Sequence, residues 1–549
     1  MTTVRGASGD GHDRAEDGPE LEEDEEREAA QREAWLSGSG AGAEGGIVVP
    51  WPVLFRHRMH GRVAASDRYQ WWVLWTVLAG LLSVNITFTV FVVALPQVAH
   101  ELHTSVSTLT WTSTGPLLAF GVAAPILGKL GDLRGYRRLY LMGLAGAAVS
   151  VMLTASAPTA GVLIAARLFD GVQGAATGAA SMALMLQVFS HEDRVKAMGW
   201  WALVGAGGPV LGVTIGAPII QYLGWRALFW GELPLMAAAA LLAVIVLPAD
   251  PHRRRSADGA SREGPKRRLW SELDWLGSLT LSASVTAGLL ALNQAPSWGF
   301  GDTRTLGLFC ASGLFVVAFV WHEGRTDKPL IPLRYFRLRN FVFPVGARAS
   351  VNFAYMGGFF LFPILMERVY GYSETAAGLV STARPLCFSI VAPIAGYAAV
   401  RVGERASVVA GAISLTASMV IFTQLGADPS LTVIVAALAL SGVANGLATP
   451  SSTSSAANEF DPSELGVMSA AQQLIAQIGI VAGIQVMVTV QASPGGGAGD
   501  LADFHRAFAV GAAVAALSGV FGLFIRNTPR ARRARAADAE EAPAEVVAG

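Results

Sequence analysis

Cysteine is nearly absent from this chain: there are two in 549 residues, Cys310 and Cys387, both inside apolar stretches. That excludes a disulfide framework and a thiolate metal site. Charge is also scarce. Asp, Glu, Lys and Arg make up 15% of the chain, where a soluble protein carries roughly a quarter. The sequence has no Gly-rich phosphate loop, no metal-ligand cluster and no nucleophile constellation. An enzyme, a bound cofactor, a metal centre and a nucleic-acid partner are therefore not expected. No cleavable signal peptide is visible.

What is present is apolar sequence. Hydrophobic residues make up 52% of the chain. They cluster in runs of about 17–25 residues, long enough to cross a bilayer. About fourteen such runs fall between positions 72 and 525. An even number places both termini on one side. About 29 Lys and Arg residues lie in the termini and even-numbered loops, against about 4 in the others, so that face is expected to be cytoplasmic. The expected class is an all-α polytopic membrane protein in a cell membrane.

Polar stretches divide the chain. Residues 1–68 form an acidic tail, containing "ELEEDEERE", and a basic flank; the tail is too polar to fold alone. Residues 69–248 form a first six-helix lobe, 249–274 a linker, 275–321 a helix pair and 322–340 a second linker. Residues 341–526 form a second six-helix lobe and 527–549 a tail. The loops "GKLGDLRGYRR" and "GYAAVRVGERA" sit at equivalent places in the two lobes. Such internal repetition points to a transporter with its binding site between the halves.

In the first of these loops Gly128, Gly131 and Gly135 permit a tight turn and close helix approach. Asp132 can cap a helix N-terminus or pair with Arg134 or Arg138. The stretch resembles the major facilitator superfamily motif Gly-x-Leu-Ala-Asp-Arg-x-Gly-Arg-Lys/Arg. Gly128, Leu130, Asp132, Gly135, Arg137 and Arg138 match. In span 5, "GAGGPVLGVTIGAP" lines Gly208, Gly212 and Gly216 along one helix face, which favours close packing. It resembles the superfamily's antiporter motif through Gly205, Gly208, Pro209 and Gly212. By that resemblance the chain exports rather than imports. "VALPQVAHEL", "GWRALFWGELP", "LDWLG" and "KPLIPLRYFRLRNF" look like segments of the fourteen-helix drug:proton antiporter branch. The implied fold is a major facilitator fold of two six-helix lobes with two central helices inserted.

Two departures bear on coupling. In span 1, Thr87 stands where the family commonly has an Asp, with Asn85 nearby. In span 4 the family's Arg-x-x-Gln-Gly reads Arg167-Leu-Phe-Asp170-Gly171. A mid-bilayer charge costs several kcal/mol unless paired or facing water. Arg167 and Asp170 are spaced i, i+3 and can meet. Three readings stand: a locked pair that braces the helix, a displaced protonation site at Asp170, or a direct substrate contact. Arg384 in span 10 is a second candidate partner for Asp170. With Arg384, the cavity would carry net positive charge, suited to an anionic or lipid-headgroup substrate. Arg348, Asn352, Tyr355 and Asn445, with Asn85 and Thr87, are candidate cavity residues. Trp71, Trp72, Trp75, Trp225, Trp230 and Trp298 read as interfacial anchors.

The expected function is proton-coupled efflux of small hydrophobic or amphipathic compounds. Its expected partners are that substrate, protons and the bilayer. The rivals are export of a lipid or endogenous metabolite, and a transporter-like sensor or scaffold acting through the acidic tail.

Overall fold

The structure is a computed structural model. It describes Ser66 and residues 68–104, 106–109, 111–248, 274–326, 329–492 and 501–527. The 1–68 tail, the 249–274 linker and the 527–549 tail lie almost wholly outside the described residues.

Fourteen helices of 20 residues or more run through the described chain. In order they are α1 (Tyr69–Glu101), α2 (Trp111–Arg134), α3 (Tyr136–Ala155), α4 (Ala160–Val188), α5 (Arg194–Leu223), α6 (Trp225–Val246), α7 (Trp275–Trp298) and α8 (Thr303–Glu323). They continue as α9 (Arg339–Arg368), α10 (Ala383–Val402), α11 (Glu404–Thr423), α12 (Leu431–Ala457), α13 (Leu465–Ala492) and α14 (Leu501–Leu523). Eleven candidate spans among the described residues are long and apolar enough to cross a membrane. Several starts are written locally. Thr159, Asp274, Asp302 and Ser430 each cap the following helix with a side-chain oxygen.

The packing repeats. In the first lobe α1 packs on α5 and α6, α2 on α4, and α3 on α4 and α6. Adding eight to each number gives the second lobe: α9 on α13 and α14, α10 on α12, α11 on α12 and α14. The lobes meet through α2 with α13, α5 with α10, and the flanking pairs α4 with α13 and α5 with α12. The central pair α7–α8 leans on α2 and α13 through α7. Only 11% of the apolar window of α8 is buried, against 56% for α9. Thus α8 presents most of its surface outward, as a lipid-facing helix does.

One end of the bundle is basic. It carries Lys129, Arg134, Arg137, Arg138, Arg194, Lys196, Arg334, Arg337, Arg339, Arg401 and Arg405. The hydrophobic cores show where the lobes join. A single core runs through this end and takes residues from both lobes, including Val73, Tyr136, Met185, Met198, Phe341, Ala457, Phe460 and Met468. Toward the other end each lobe has its own core. One is built around Val98, Trp225 and Phe229, the other around Phe362, Phe422 and Phe508. The lobes are thus fused at the basic end, the geometry of a closed gate on that side.

Candidate functional site

The gate is built from the loop between α2 and α3. Gly135 sits at φ 96°, a conformation that favours glycine, and turns the chain between the helices. That turn aims Asp132 across the lobe interface. Its Oδ1 accepts from Gly466 N at 2.8 Å and its Oδ2 from Val467 N at 2.9 Å. The Tyr136 hydroxyl donates to Oδ1 at 2.5 Å. Asp132 therefore caps α13, a helix of the other lobe, rather than pairing with Arg134 or Arg138. Two orphan N–H groups and the positive helix end are satisfied together. Close approach is required here: a Cβ on Gly128 would run into Ala470 Cβ and the Gly466 carbonyl. Arg137 donates to Val244 O at 2.6 Å, tying α3 to the end of α6.

A second clasp lies at the start of α5. Arg194 donates Nε to Leu186 O at 2.8 Å and Nη1 to Ala457 O at 3.0 Å and Asn458 Oδ1 at 3.2 Å. Its Nη1 also lies 3.1 Å from His191 Nδ1. Burial, reinforced by the Arg194 charge, holds the His191 imidazole below its ordinary value of 6.5.

A strap lies against the first clasp and the α12–α13 turn. Residues 329–338 follow α8. Lys129 Nζ donates to Pro329 O at 3.1 Å. Glu323 Oε1, at the end of α8, accepts from Ile331 N at 2.6 Å. Tyr335 is buried and stands edge-on to Phe460, with centroids 4.5 Å apart. Arg334 pairs with Glu464.

Polar groups gather at mid-bundle. On α4, Arg167 Nη1 donates to Asp170 Oδ2 at 2.7 Å, and Gln173 Nε2 donates to Asp170 Oδ1 at 2.6 Å. Arg167 is 2% exposed, while the Asp170 side chain keeps 17%. Arg384 does not join them. Its Nη1 donates to Tyr355 O at 2.9 Å within the second lobe, and its guanidinium lies 5.3 Å from the Tyr355 ring centroid. Arg348 Nη1 donates to Thr453 Oγ1 at 2.9 Å. Thr449 donates to Asn445 Oδ1. Asn352 is half-buried on the same stretch of α9.

The span 5 motif is split. A Cβ on Gly208 would lie 3.1 Å from Asn85 Cβ, so this glycine seats α5 on α1, and Gly212 is buried. Gly205 faces open space. Asn85 donates to Leu81 O at 2.8 Å, a bond within its own helix. The side chains of Thr87 and Pro209 lie outside the described residues. One tryptophan is misplaced by the sequence reading. Trp225 is 1% exposed and donates to Glu101 Oε2 at 2.6 Å, whereas Trp72, Trp75, Trp230 and Trp298 are exposed.

Two repeated six-helix bundles clasped at one end, with buried polar groups between helices, describe a machine for moving a solute. The sequence matches the Major Facilitator Superfamily over residues 77–483 and 345–548. The chain belongs to the major facilitator superfamily. It is a membrane transporter and not an enzyme. It is 30% identical over 445 residues to the puromycin resistance protein pur8 of Streptomyces alboniger, covering 80% of this chain and 84% of that protein. It is 28% identical over 429 residues to the tetracenomycin C resistance and export protein of Streptomyces glaucescens, covering 77% and 76%. The crystal structure of the human organic anion transporter MFSD10 superimposes with a TM-score of 0.57 at 18% identity, covering 82% of this chain and 99% of that one. At that identity the likeness concerns the fold.

Several working residues escaped the sequence reading. Arg194, Tyr136, Lys129 and Tyr335 form the gate and strap. A signal existed for Tyr136, which follows the turn glycine of the motif. Arg194 and Tyr335 act through partners more than a hundred positions away and carried none.

Proposed function

We propose that this transporter exports small hydrophobic or amphipathic compounds from the cytoplasm by alternating access, driven by the proton gradient. In this reading all fourteen helices span the plasma membrane, both termini are cytoplasmic, and the chain sits in the fourteen-helix drug:proton antiporter branch. The observation that carries it is the clasped basic end. By the positive-inside rule that end faces the cytoplasm, so this conformation is sealed inward, the state from which an exporter releases its load. The relatives' names, resistance to puromycin and export of tetracenomycin C, support export. The Gly208 contact with α1 fits the antiporter-like motif.

Asp170 is the proposed proton carrier. Its side chain is partly exposed while Arg167 and Gln173 hold both oxygens. The proposed coupling step is a change in the Arg167–Asp170 contact between states. The test is Asp170→Asn in inside-out vesicles energised by a pH gradient. Gradient-driven uptake is expected to fall to the level of simple exchange, with substrate exchange itself intact. Full gradient-driven uptake by the variant would remove Asp170 from the coupling.

A further inference from the structure

Within the second lobe the hydrogen-bonding groups do not balance. Arg348 on α9 and Arg384 on α10 are 8% and 0% exposed. Among the described residues neither has a carboxylate within ion-pair reach, and each makes a single hydrogen bond, to Thr453 Oγ1 and to Tyr355 O. Arg348 Nε and Arg384 Nε and Nη2 bond to nothing. On α13, Gln473 Nε2 and Gln477 Nε2 are likewise unbonded, while Gln472 leaves an acceptor oxygen. An amide can be turned round to offer its oxygen; a guanidinium has only donors and keeps its proton. The first lobe shows the contrast, because there Arg167 is neutralised one turn away by Asp170.

A buried, uncompensated cation is expensive, and breaking such a pair by removing its anion costs several kcal/mol. Two of them in one lobe call for a negative partner that none of the described residues supplies. The surroundings indicate its shape. The Tyr355 ring lies 5.3 Å from Arg384 and stands edge-on to Phe388 at 6.0 Å. The Trp201 ring, from the other lobe, lies 5.9 Å from Arg348. Arg348, Asn352 and Tyr355 follow at i, i+4 and i+7 on α9, so the two guanidiniums mark the ends of a stripe about 10 Å long. A planar fork of donors beside aromatic faces suits a carboxylate or phenolate on an aromatic body.

We propose that the substrate is an aromatic organic dianion, one acidic group held by Arg348 and the other by Arg384 at the two ends of that stripe. This rests on the transporter reading and narrows its substrate class. Arg384 is sealed in the present conformation. The regular helix bonding is interrupted at Thr382, two residues before it, where Pro385 offers no N–H to the Ser381 carbonyl although the backbone stays helical. Flexing at that interruption is part of the same proposal and presents the guanidinium.

The test uses the full chain in phosphatidylcholine nanodiscs, which keep anionic headgroups away. Two dyes with the same ring system serve as probes, fluorescein as the anion and rhodamine 6G as the cation, with binding read by anisotropy. Fluorescein is expected to bind at least about tenfold tighter than rhodamine 6G. Arg348→Gln and Arg384→Gln should each weaken it by at least about tenfold without weakening rhodamine 6G, and Arg384→Lys should fall between. Preference for rhodamine 6G in the wild type, or unchanged fluorescein affinity in both Gln variants, overturns the proposal. If the Gln variants lose their thermal transition, the wild-type dye preference and the Lys variant decide. Export of both dyes is followed in parallel. Cation export with no fluorescein binding sinks the anion site and leaves export standing. Arginine-dependent fluorescein binding with no movement of either dye supports the site and sinks the export reading.

Discussion

Replacing Asp132 by asparagine tests the gate where its chemistry is most concentrated. The carboxylate takes one N–H from Gly466, one from Val467 and the Tyr136 hydroxyl, at the positive end of α13. Asparagine keeps the size but has one acceptor oxygen, so its NH2 turns toward a backbone N–H. The lost charge-assisted bond is worth about 1.5–3 kcal/mol, and the lost attraction to the helix end about 0.3–2 kcal/mol. A weakening of about 3 kcal/mol lowers the closed-to-open ratio about 150-fold. The readout is a buried position in the fused core. Met468 is fully buried there. With Cys310 and Cys387 changed to serine, Met468→Cys is reached by a membrane-impermeant maleimide from the basic side only when the gate opens. Where closing outruns labelling, the rate follows the open population. The expected result is labelling about 150-fold faster in Asp132→Asn. Acceleration below about threefold would refute the assignment of gate stability to these bonds.

Other perturbations read the same gate. Gly128→Ala places a methyl against Ala470 and the Gly466 carbonyl; overpacking of about 1–3 kcal/mol should speed Met468→Cys labelling and slow export, and an unchanged rate would count against close approach at this point. His191 accepts from Arg194 in the closed state, where burial and that charge keep its pKa below 6.5. The closed state binds the proton more weakly than a released His191 does, so closure weakens as pH falls below 6.5 and is unaffected above it. Labelling should therefore rise on acidification of the basic side, and His191→Gln should flatten that rise. Glu323→Ala leaves the buried Ile331 N–H without its acceptor, a loss of about 1–3 kcal/mol. Trypsin should then cut faster after Arg334 or Arg337; unchanged cutting would show that the strap is anchored elsewhere.

Local signals were legible in the sequence and distant ones were not. Apolar run length located the helices, but the α1 helix extends to Glu101, beyond its apolar run, because the polar residues that close it still bond along the helix. The run 375–399 stands as one span, Ala376–Val402, with its helix bonding interrupted at Thr382. Pro385 has no N–H to offer the Ser381 carbonyl, so the regular bonding starts afresh at α10. The loop sequence offered Asp132 as a helix cap or as a partner of Arg134 or Arg138, yet the N–H it accepts lies 334 residues later. No spacing rule reaches that far. Arg384 was read as a partner for Asp170 because both are charged at similar depth. Its bonded partner is a backbone carbonyl, a group every residue carries and no sequence pattern marks.

The repeat also explains why the gate is lopsided. Gly128 and Gly135 correspond to Gly396 and Gly403, and both turn glycines share nearly the same φ, 96° and 95°. Gly396 packs on the start of α5 as Gly128 packs on the start of α13. At the position equivalent to Asp132, however, the second lobe has Val400, which offers α5 no acceptor. The first lobe instead supplies a cation in the opposite sense. Arg194 reaches the carbonyl end of α12, where positive charge is favoured, as Asp132 reaches the N–H end of α13. Both clasping side chains thus come from one lobe and both receiving termini from the other. The receivers lie on a single turn, from Ala457 to Val467, which also takes the Tyr136 hydroxyl at Pro462 O, the Tyr335 ring at Phe460 and Arg334 at Glu464. Clasp, counter-clasp and strap converge on that turn. The turn thus takes contacts from each, while the strap keeps its own anchors at Lys129 and Glu323 and Gly396 holds the start of α5 independently of it.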